Sequence, residues 1–162
     1  MAHQWFGNSV TARRWRDIWL HEGFACYAEW LWAEHSGGPT AANLARQHHR
    51  RLAALPKNLL LADPGPADMF DDRVYKRGAI TLHVLRGTLG DDKFFTLLRD
   101  WTTRYRHGTA VTDDFTGLAA NHAEELADSL AYWSCRWFAC GAADGDGSNA
   151  DTAAVLNTLD WA

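Results

Sequence analysis

Residues 15–35 read WRDIWLHEGFACYAEWLWAEH, and this stretch decides the fold class. Its large apolar residues recur every three or four positions, which is the period of one face of an α-helix. Gly37 and Gly38 follow directly and are typical of a helix end. Glu22 places a carboxylate within the apolar run, and burial of an unpaired carboxylate is costly. Glu22 therefore needs a cation, a proton or a metal ion as its partner.

The rest of the chain also reads as helical. Further helices are expected from Pro39 to about Leu55, from Val74 to Leu89, from Asp91 to about His107, from Thr112 to Ala120 and from Glu124 to Phe138. A loop rich in Pro, Asp and Gly is expected over residues 56–72. No strand pair, hairpin or internal repeat is predicted. We expect a mainly α domain over residues 1–141, followed by a flexible acidic tail over residues 142–162.

Composition excludes several classes of protein. The formal net charge of −4 argues against a general nucleic-acid binder, which would carry a positive surplus. No apolar run reaches the ~18 residues of a membrane-spanning helix. The three cysteines are too few and too irregularly spaced for a disulfide framework or a zinc knuckle, so we expect them to be buried as small hydrophobic residues. The cellular compartment stays open.

Three stretches of the chain form a recognisable series of motifs: MAHQWFGN at residues 1–8, WRDIWLHEGFACYAEWLW at 15–32 and VYKRGA at 74–79. Together they resemble the M1 family of zinc aminopeptidases, which are gluzincins. That family reads HExxHQWFGN, then has eighteen residues between the second histidine and the glutamate of NEGFA, and later a tyrosine in Y-[DE]-K-G-A. Eighteen residues also separate His3 from Glu22. The resemblance extends to about Gly141 and implies the helical half of a thermolysin-like catalytic domain.

The resemblance also implies a site. His3 matches the second zinc-binding histidine and Glu22 the third protein ligand of one Zn²⁺ ion. Imidazole nitrogen and carboxylate oxygen are ligands that suit zinc. Tyr75 matches the tyrosine that donates a hydrogen bond to the oxyanion of the tetrahedral intermediate. Glu29, two helical turns after Glu22, is a candidate to accept from the ring N–H of a zinc-bound histidine, and Asp17 is the rival for that role.

The match implies an enzyme fragment. Met1 and Ala2 fall on the two variable positions of HExxH, so the first zinc histidine and the general-base glutamate are expected upstream. The intact protein would remove amino-terminal residues from peptides, and the missing half of the catalytic domain would be a partner of this chain. The chain alone is expected to be inactive. The alternative is a non-catalytic helical interaction module, either a truncated product or a pseudoenzyme.

Two positions depart from the family pattern. The usual Asn before the glutamate ligand is His21, which is not expected to be a ligand itself, because adjacent helical residues point about 100° apart. The acidic residue after the tyrosine is replaced by Lys76. The second change puts a local salt bridge in doubt and leaves the tyrosine in place.

Overall fold

The computed structural model describes residues 1–122, and these residues are mainly helical. The helices are α1 Trp19–His35, α2 Ala41–Ala53, α3 Gly65–Asp68, α4 Asp72–Leu89, α5 Asp91–Arg104 and α6 Thr112–Asn121. The strands are β1 Val10–Ala12 and β2 Gly108–Ala110, and single 3₁₀ turns cover Ala2–Gln4 and Trp15–Asp17. The prediction of a mainly α fold is confirmed. The expected helix over residues 124–138, Cys135, Cys140 and the tail over residues 142–162 lie outside the described residues.

The prediction of no strand pair is wrong. β1 and β2 pair in parallel, with Val10 opposite Gly108 and Ala12 opposite Ala110. Each strand has only three residues, too few for the alternation of apolar and polar residues that marks a strand in sequence. The strands also lie almost a hundred residues apart, so no hairpin turn joins them.

Helix starts differ from the predicted ones by a few residues. Residues 15–17 form a 3₁₀ turn before α1 instead of its first turn. Pro39 precedes the helix, and α2 begins after Thr40, whose side chain accepts a hydrogen bond from the amide of Asn43. Asp71 caps α4 in the same way through the amide of Arg73. The predicted loop over residues 56–72 contains the short helix α3.

The centre of the fold is the contact between α1 and α4. A Cβ atom built on Gly23 would lie 2.7 Å from the Cα atom of Gly78, so the two backbones meet without side chains between them. Phe24 lies at the middle of an aromatic cluster, and its ring contacts those of Phe6, Trp19, Trp101 and Phe115. None of the helices within residues 1–122 is long and apolar enough to cross a membrane.

Candidate metal centre

His3 and Glu22 meet at the N-terminal end of α1. The Nε2 atom of His3 lies 3.5 Å from the Oε2 atom of Glu22. The Glu22 side chain is 12% exposed and that of His3 is 54% exposed. His3 comes from the first 3₁₀ turn and Glu22 from the first turn of α1. Two residues that are far apart in the sequence thus direct a nitrogen and an oxygen atom toward one point near the surface.

A backbone carbonyl determines that Nδ1 of the His3 ring carries a proton. The Nδ1 atom of His3 lies 3.1 Å from the carbonyl oxygen of Phe6, and a carbonyl can only accept a hydrogen bond. Nδ1 therefore carries a proton, and Nε2 is the ring nitrogen that faces Glu22. This is how a metal-ligating histidine is usually oriented.

The separation of the two side chains suits a tetrahedral metal ion. Two ligand atoms bound to Zn²⁺ at about 2.0–2.1 Å and the tetrahedral angle lie about 3.4 Å apart. The 3.5 Å between Nε2 of His3 and Oε2 of Glu22 agrees with that value. Within residues 1–122, however, no three His, Cys, Asp or Glu side chains are grouped so that they could hold a metal ion. The described residues thus offer two suitable ligands.

Tyr75 approaches Glu22 from α4. Burial raises the pKa of Glu22, and the His3 ring and a hydrogen-bonding interaction with the Tyr75 hydroxyl partly offset this by lowering it. Burial and the Glu22 carboxylate in turn raise the pKa of Tyr75. The phenol therefore stays protonated at neutral pH and can donate a hydrogen bond. The structure brings together His3, Glu22 and Tyr75, the three residues that the sequence placed at the centre of the site.

Glu29 lies two helical turns beyond Glu22 on α1, and its side chain is exposed. Within the described part of the chain it makes no hydrogen bond or ion pair. The ring N–H of His3 already has a partner in the carbonyl of Phe6, so Glu29 is not needed for that histidine. Sequence analysis missed this carbonyl because a backbone atom has no signal of its own in the sequence.

Asp17 is the last residue of the 3₁₀ turn before α1 and is buried. Its Oδ1 atom accepts hydrogen bonds from the amide of Thr112 at 3.0 Å and from the Thr112 hydroxyl at 2.6 Å. Its Oδ2 atom is buried and has no hydrogen-bond partner within residues 1–122. The carboxylate of Asp17 therefore joins the start of α1 to the start of α6.

His21 and Lys76, the two departures from the family pattern, both have partners. The Nε2 atom of His21 accepts a hydrogen bond from the amide of Ala12 at 2.6 Å, and burial and the nearby His3 lower the pKa of His21. The Nζ atom of Lys76 lies 3.8 Å from Oδ1 of Asp72 and 3.5 Å from Sγ of Cys26. Lys76 thus makes its own salt bridge one helical turn back. Burial raises the pKa of the Cys26 thiol to about 11, so the thiol stays neutral.

Known proteins of similar sequence are aminopeptidases. Aminopeptidase N of Mus musculus is 33% identical over 125 residues, which cover 68% of this chain and 13% of that protein. Endoplasmic reticulum aminopeptidase 2 of Homo sapiens is 32% identical over 131 residues, covering 75% of this chain and 14% of that protein. Aminopeptidase N of Streptomyces lividans is 31% identical over 149 residues, 85% of this chain and 17% of that protein. The chain therefore spans about a sixth or less of these relatives.

Solved structures that resemble this chain are M1 zinc metallopeptidases, which agrees with the sequence relatives. The crystal structure of an M1 zinc metallopeptidase from Deinococcus radiodurans superposes with a TM-score of 0.73 at 38% identity, over 82% of this chain and 30% of that one. An E323A mutant of that enzyme bound to a Tyr-Ser-Ala substrate gives a TM-score of 0.74 at the same identity. The sequence model of the peptidase family M1 domain matches residues 1–133. The resemblance seen in the sequence motifs is thereby confirmed, and this chain belongs to peptidase family M1.

Proposed function

We propose that this chain forms the helical part of the active site of a zinc aminopeptidase, with His3 and Glu22 as two of the three protein ligands. The observation that carries this proposal is the 3.5 Å separation between Nε2 of His3 and Oε2 of Glu22. Zinc held there would supply a Lewis acid that polarises the scissile carbonyl of a peptide. Peptides with a free amino terminus are the proposed substrates.

Tyr75 is the proposed oxyanion donor. Its hydroxyl stays protonated because burial and the Glu22 carboxylate raise its pKa. A protonated hydroxyl beside the metal ligand can donate to the negative oxygen that develops on a substrate carbonyl. In the structure this donor interacts with the Glu22 carboxylate.

Glu29 and Asp17 are the proposed supports for a zinc-bound histidine other than His3. Glu29 is favoured because its carboxylate is exposed, lies on the same side of α1 as Glu22 and makes no bond to the described residues. The Oδ1 atom of Asp17 is already used by Thr112, which leaves only Oδ2 for that role.

We further propose that the 162-residue polypeptide has no peptidase activity by itself. Residues 1–122 provide two zinc ligands and no third, and a catalytic zinc site normally has three protein ligands and an open position. No turnover of an aminoacyl-p-nitroanilide is expected from this polypeptide with added Zn²⁺. Zinc-dependent turnover that a chelator abolishes would contradict this part of the proposal. In-frame codons for His and Glu directly before Met1 would point to a longer active protein.

Zinc binding tests the core of the proposal. We expect the chain to bind Zn²⁺ in competition with a chromogenic chelator, and His3→Ala or Glu22→Gln to weaken this binding at least about tenfold. His35→Ala removes an exposed histidine outside the site and should bind as the wild type does. Equal Zn²⁺ affinity of the wild type and these three variants would contradict the proposed zinc site. It would favour the alternative, a helical interaction module, for which exposed Trp5, Trp15 and Trp32 offer apolar surface.

A further inference from the structure

His3 lies in a tight turn over residues 3–12, which precedes α1 and is called the His3 turn. Within the turn the amide of Asn8 donates to the carbonyl of His3 at 2.9 Å, and the amide of Gly7 donates to the carbonyl of Val10 at 2.9 Å. The hydroxyl of Thr11 donates to the carbonyl of Gly7 at 2.7 Å. These bonds shape the turn from within, and none of them attaches it to the helix that carries Glu22.

Besides the approach of His3 to Glu22, a ring contact and a hydrogen bond attach the turn to α1. The Phe6 ring packs on that of Phe24 with centroids 5.0 Å apart, a contact that tolerates sliding. The amide of Ala12 donates to Nε2 of His21 at 2.6 Å, which is directional and fixes a position. Ala12 can make this bond because alternate amides of a strand point to opposite sides: the amide of Arg13 donates to the carbonyl of Ala110 in β2.

The His21 ring also lies close to Gly7 of the His3 turn. Gly7 adopts φ +131°, in the region that favours glycine, and occupies the space between the two histidines. A Cβ atom built on Gly7 would lie 3.5 Å from Nδ1 of His3 and 3.9 Å from Cγ of His21. Gly7 of the turn is therefore close to both histidine side chains.

We propose that His21 is a positioning residue, whose hydrogen bond to Ala12 holds the His3 turn in register with Glu22. Glu22 follows His21 directly in α1, so any movement of the turn relative to His21 changes the distance between Nε2 of His3 and the Glu22 carboxylate. The importance of that distance rests on the proposed function, in which both side chains bind one zinc ion. The family motif NEGFA carries asparagine at this position, so the motif itself does not predict this role.

Replacement by two amides tests the hydrogen bond. The side-chain carbonyl of His21→Gln reaches about as far from Cβ as Nε2 does and can accept from Ala12. That of His21→Asn is one bond shorter and falls short of the amide. We expect His21→Asn to weaken Zn²⁺ binding by the chain about tenfold or more, the range known for groups that orient metal ligands. His21→Gln should stay within about threefold of the wild type.

A metal-free readout separates this inference from the proposed function. Long-range ¹H–¹⁵N correlation of the His3 ring in the 162-residue chain should show an Nδ1–H that is hydrogen-bonded to the Phe6 carbonyl in the wild type and in His21→Gln. This hydrogen bond should be lost in His21→Asn. If none of the proteins binds Zn²⁺, the zinc site fails, and the comparison of this Nδ1–H signal still decides the role of His21.

Either of two results would overturn the proposal: a wild-type Nδ1–H signal of His3 together with wild-type zinc affinity in His21→Asn, or the same losses in both variants. All measurements are made below the midpoint of thermal unfolding of each variant, so that only folded protein is compared. If His21→Asn does not fold, hydrogen exchange decides the question. The Ala12 amide should be protected in the wild type and in His21→Gln, and rapid exchange in the wild type would refute the bond.

Discussion

Gly23 of α1 and Gly78 of α4 lie in direct backbone contact, with 2.7 Å between a Cβ atom built on either residue and the Cα atom of the other. The contact lies one residue after Glu22 and three residues after Tyr75. It therefore lets the two helices approach closely enough for the Tyr75 hydroxyl to interact with the Glu22 carboxylate. Glycine is needed here for the space that it leaves between the helices.

Alanine at either glycine should destabilise the chain. A methyl group that meets backbone at 2.7 Å cannot be relieved by a side-chain rotation, so α1 and α4 must move apart. We expect Gly23→Ala and Gly78→Ala each to lower the free energy of unfolding by about 1–3 kcal/mol, as overpacking of a core does. Urea unfolding followed by far-UV circular dichroism measures this loss.

Gly117 provides the matched control. It lies in α6, is exposed, and has open space where a Cβ atom would be added. Gly117→Ala should raise the free energy of unfolding by about 0.5–1 kcal/mol, because alanine favours a helix over glycine. A loss of similar size in all three variants would mean that the close approach of α1 and α4 is not what makes Gly23 and Gly78 sensitive.

Much of the fold could be predicted from the sequence because its long helices have clear periodicity. The stretch over residues 15–35 predicted α1. The capping role of Asp71 at the start of α4 was not predicted, because it becomes visible only as a hydrogen bond in the structure. The strands could not be predicted, since three residues carry no alternation and the partner lies at the far end of the described chain. A contact between two distant glycines leaves no local signal either.

The sequence could predict candidate residues for a site, but not the contacts that hold them. Motif spacing pointed to His3, Glu22 and Tyr75, and the structure brings these three side chains together. The carbonyl of Phe6 and the amide of Ala12, which orient His3 and hold its turn, are backbone atoms that any residue would supply. Only the three-dimensional path of the turn reveals them.

Zinc should stabilise the folded chain. An ion that binds only the folded state adds about 2.7 kcal/mol to the free energy of unfolding at a concentration of 100 times Kd. We expect Zn²⁺ to raise Tm in differential scanning fluorimetry and EDTA to reverse the change. His3→Ala and Glu22→Gln should abolish the shift, and His35→Ala should preserve it. An unchanged shift in Glu22→Gln would place the bound ion elsewhere on the molecule.

His83 makes the stability of the chain depend on pH. It is buried in α4, and its Nδ1 atom lies 3.0 Å from the hydroxyl of Tyr27 in α1. Burial, and to a smaller extent the Arg86 cation, lower the pKa of His83 from 6.5 to about 4. The unfolded chain therefore takes up this proton at a higher pH than the folded chain does. Stability is retained above pH 6.5 and lost as the pH falls from 6.5 toward 4.

His83→Gln should remove this part of the pH dependence while keeping a hydrogen-bonding group for Tyr27. Between pH 7 and pH 5 the titration of His83 should cost the wild type about 2 kcal/mol of unfolding free energy. Urea unfolding at both pH values should show a fall that is smaller by this amount in His83→Gln. His35→Gln, at an exposed site, should follow the wild type. Parallel curves for His83→Gln and the wild type would contradict the assignment.

Asp17 and Thr112 should be coupled in stability and should have little effect on zinc affinity. Both described hydrogen bonds of the Asp17 carboxylate go to Thr112, where they satisfy the first amide of α6. In a double-mutant cycle of Asp17→Ala and Thr112→Ala we expect a coupling free energy of about 1–3 kcal/mol, the range for residues within one buried network. Thr112→Ser keeps the hydroxyl and should retain most of the coupling. Zinc affinity of Asp17→Ala, measured on folded protein, should stay within about threefold of the wild type. A tenfold loss would instead show that the Asp17 carboxylate is needed to hold the proposed ligands His3 and Glu22 in place.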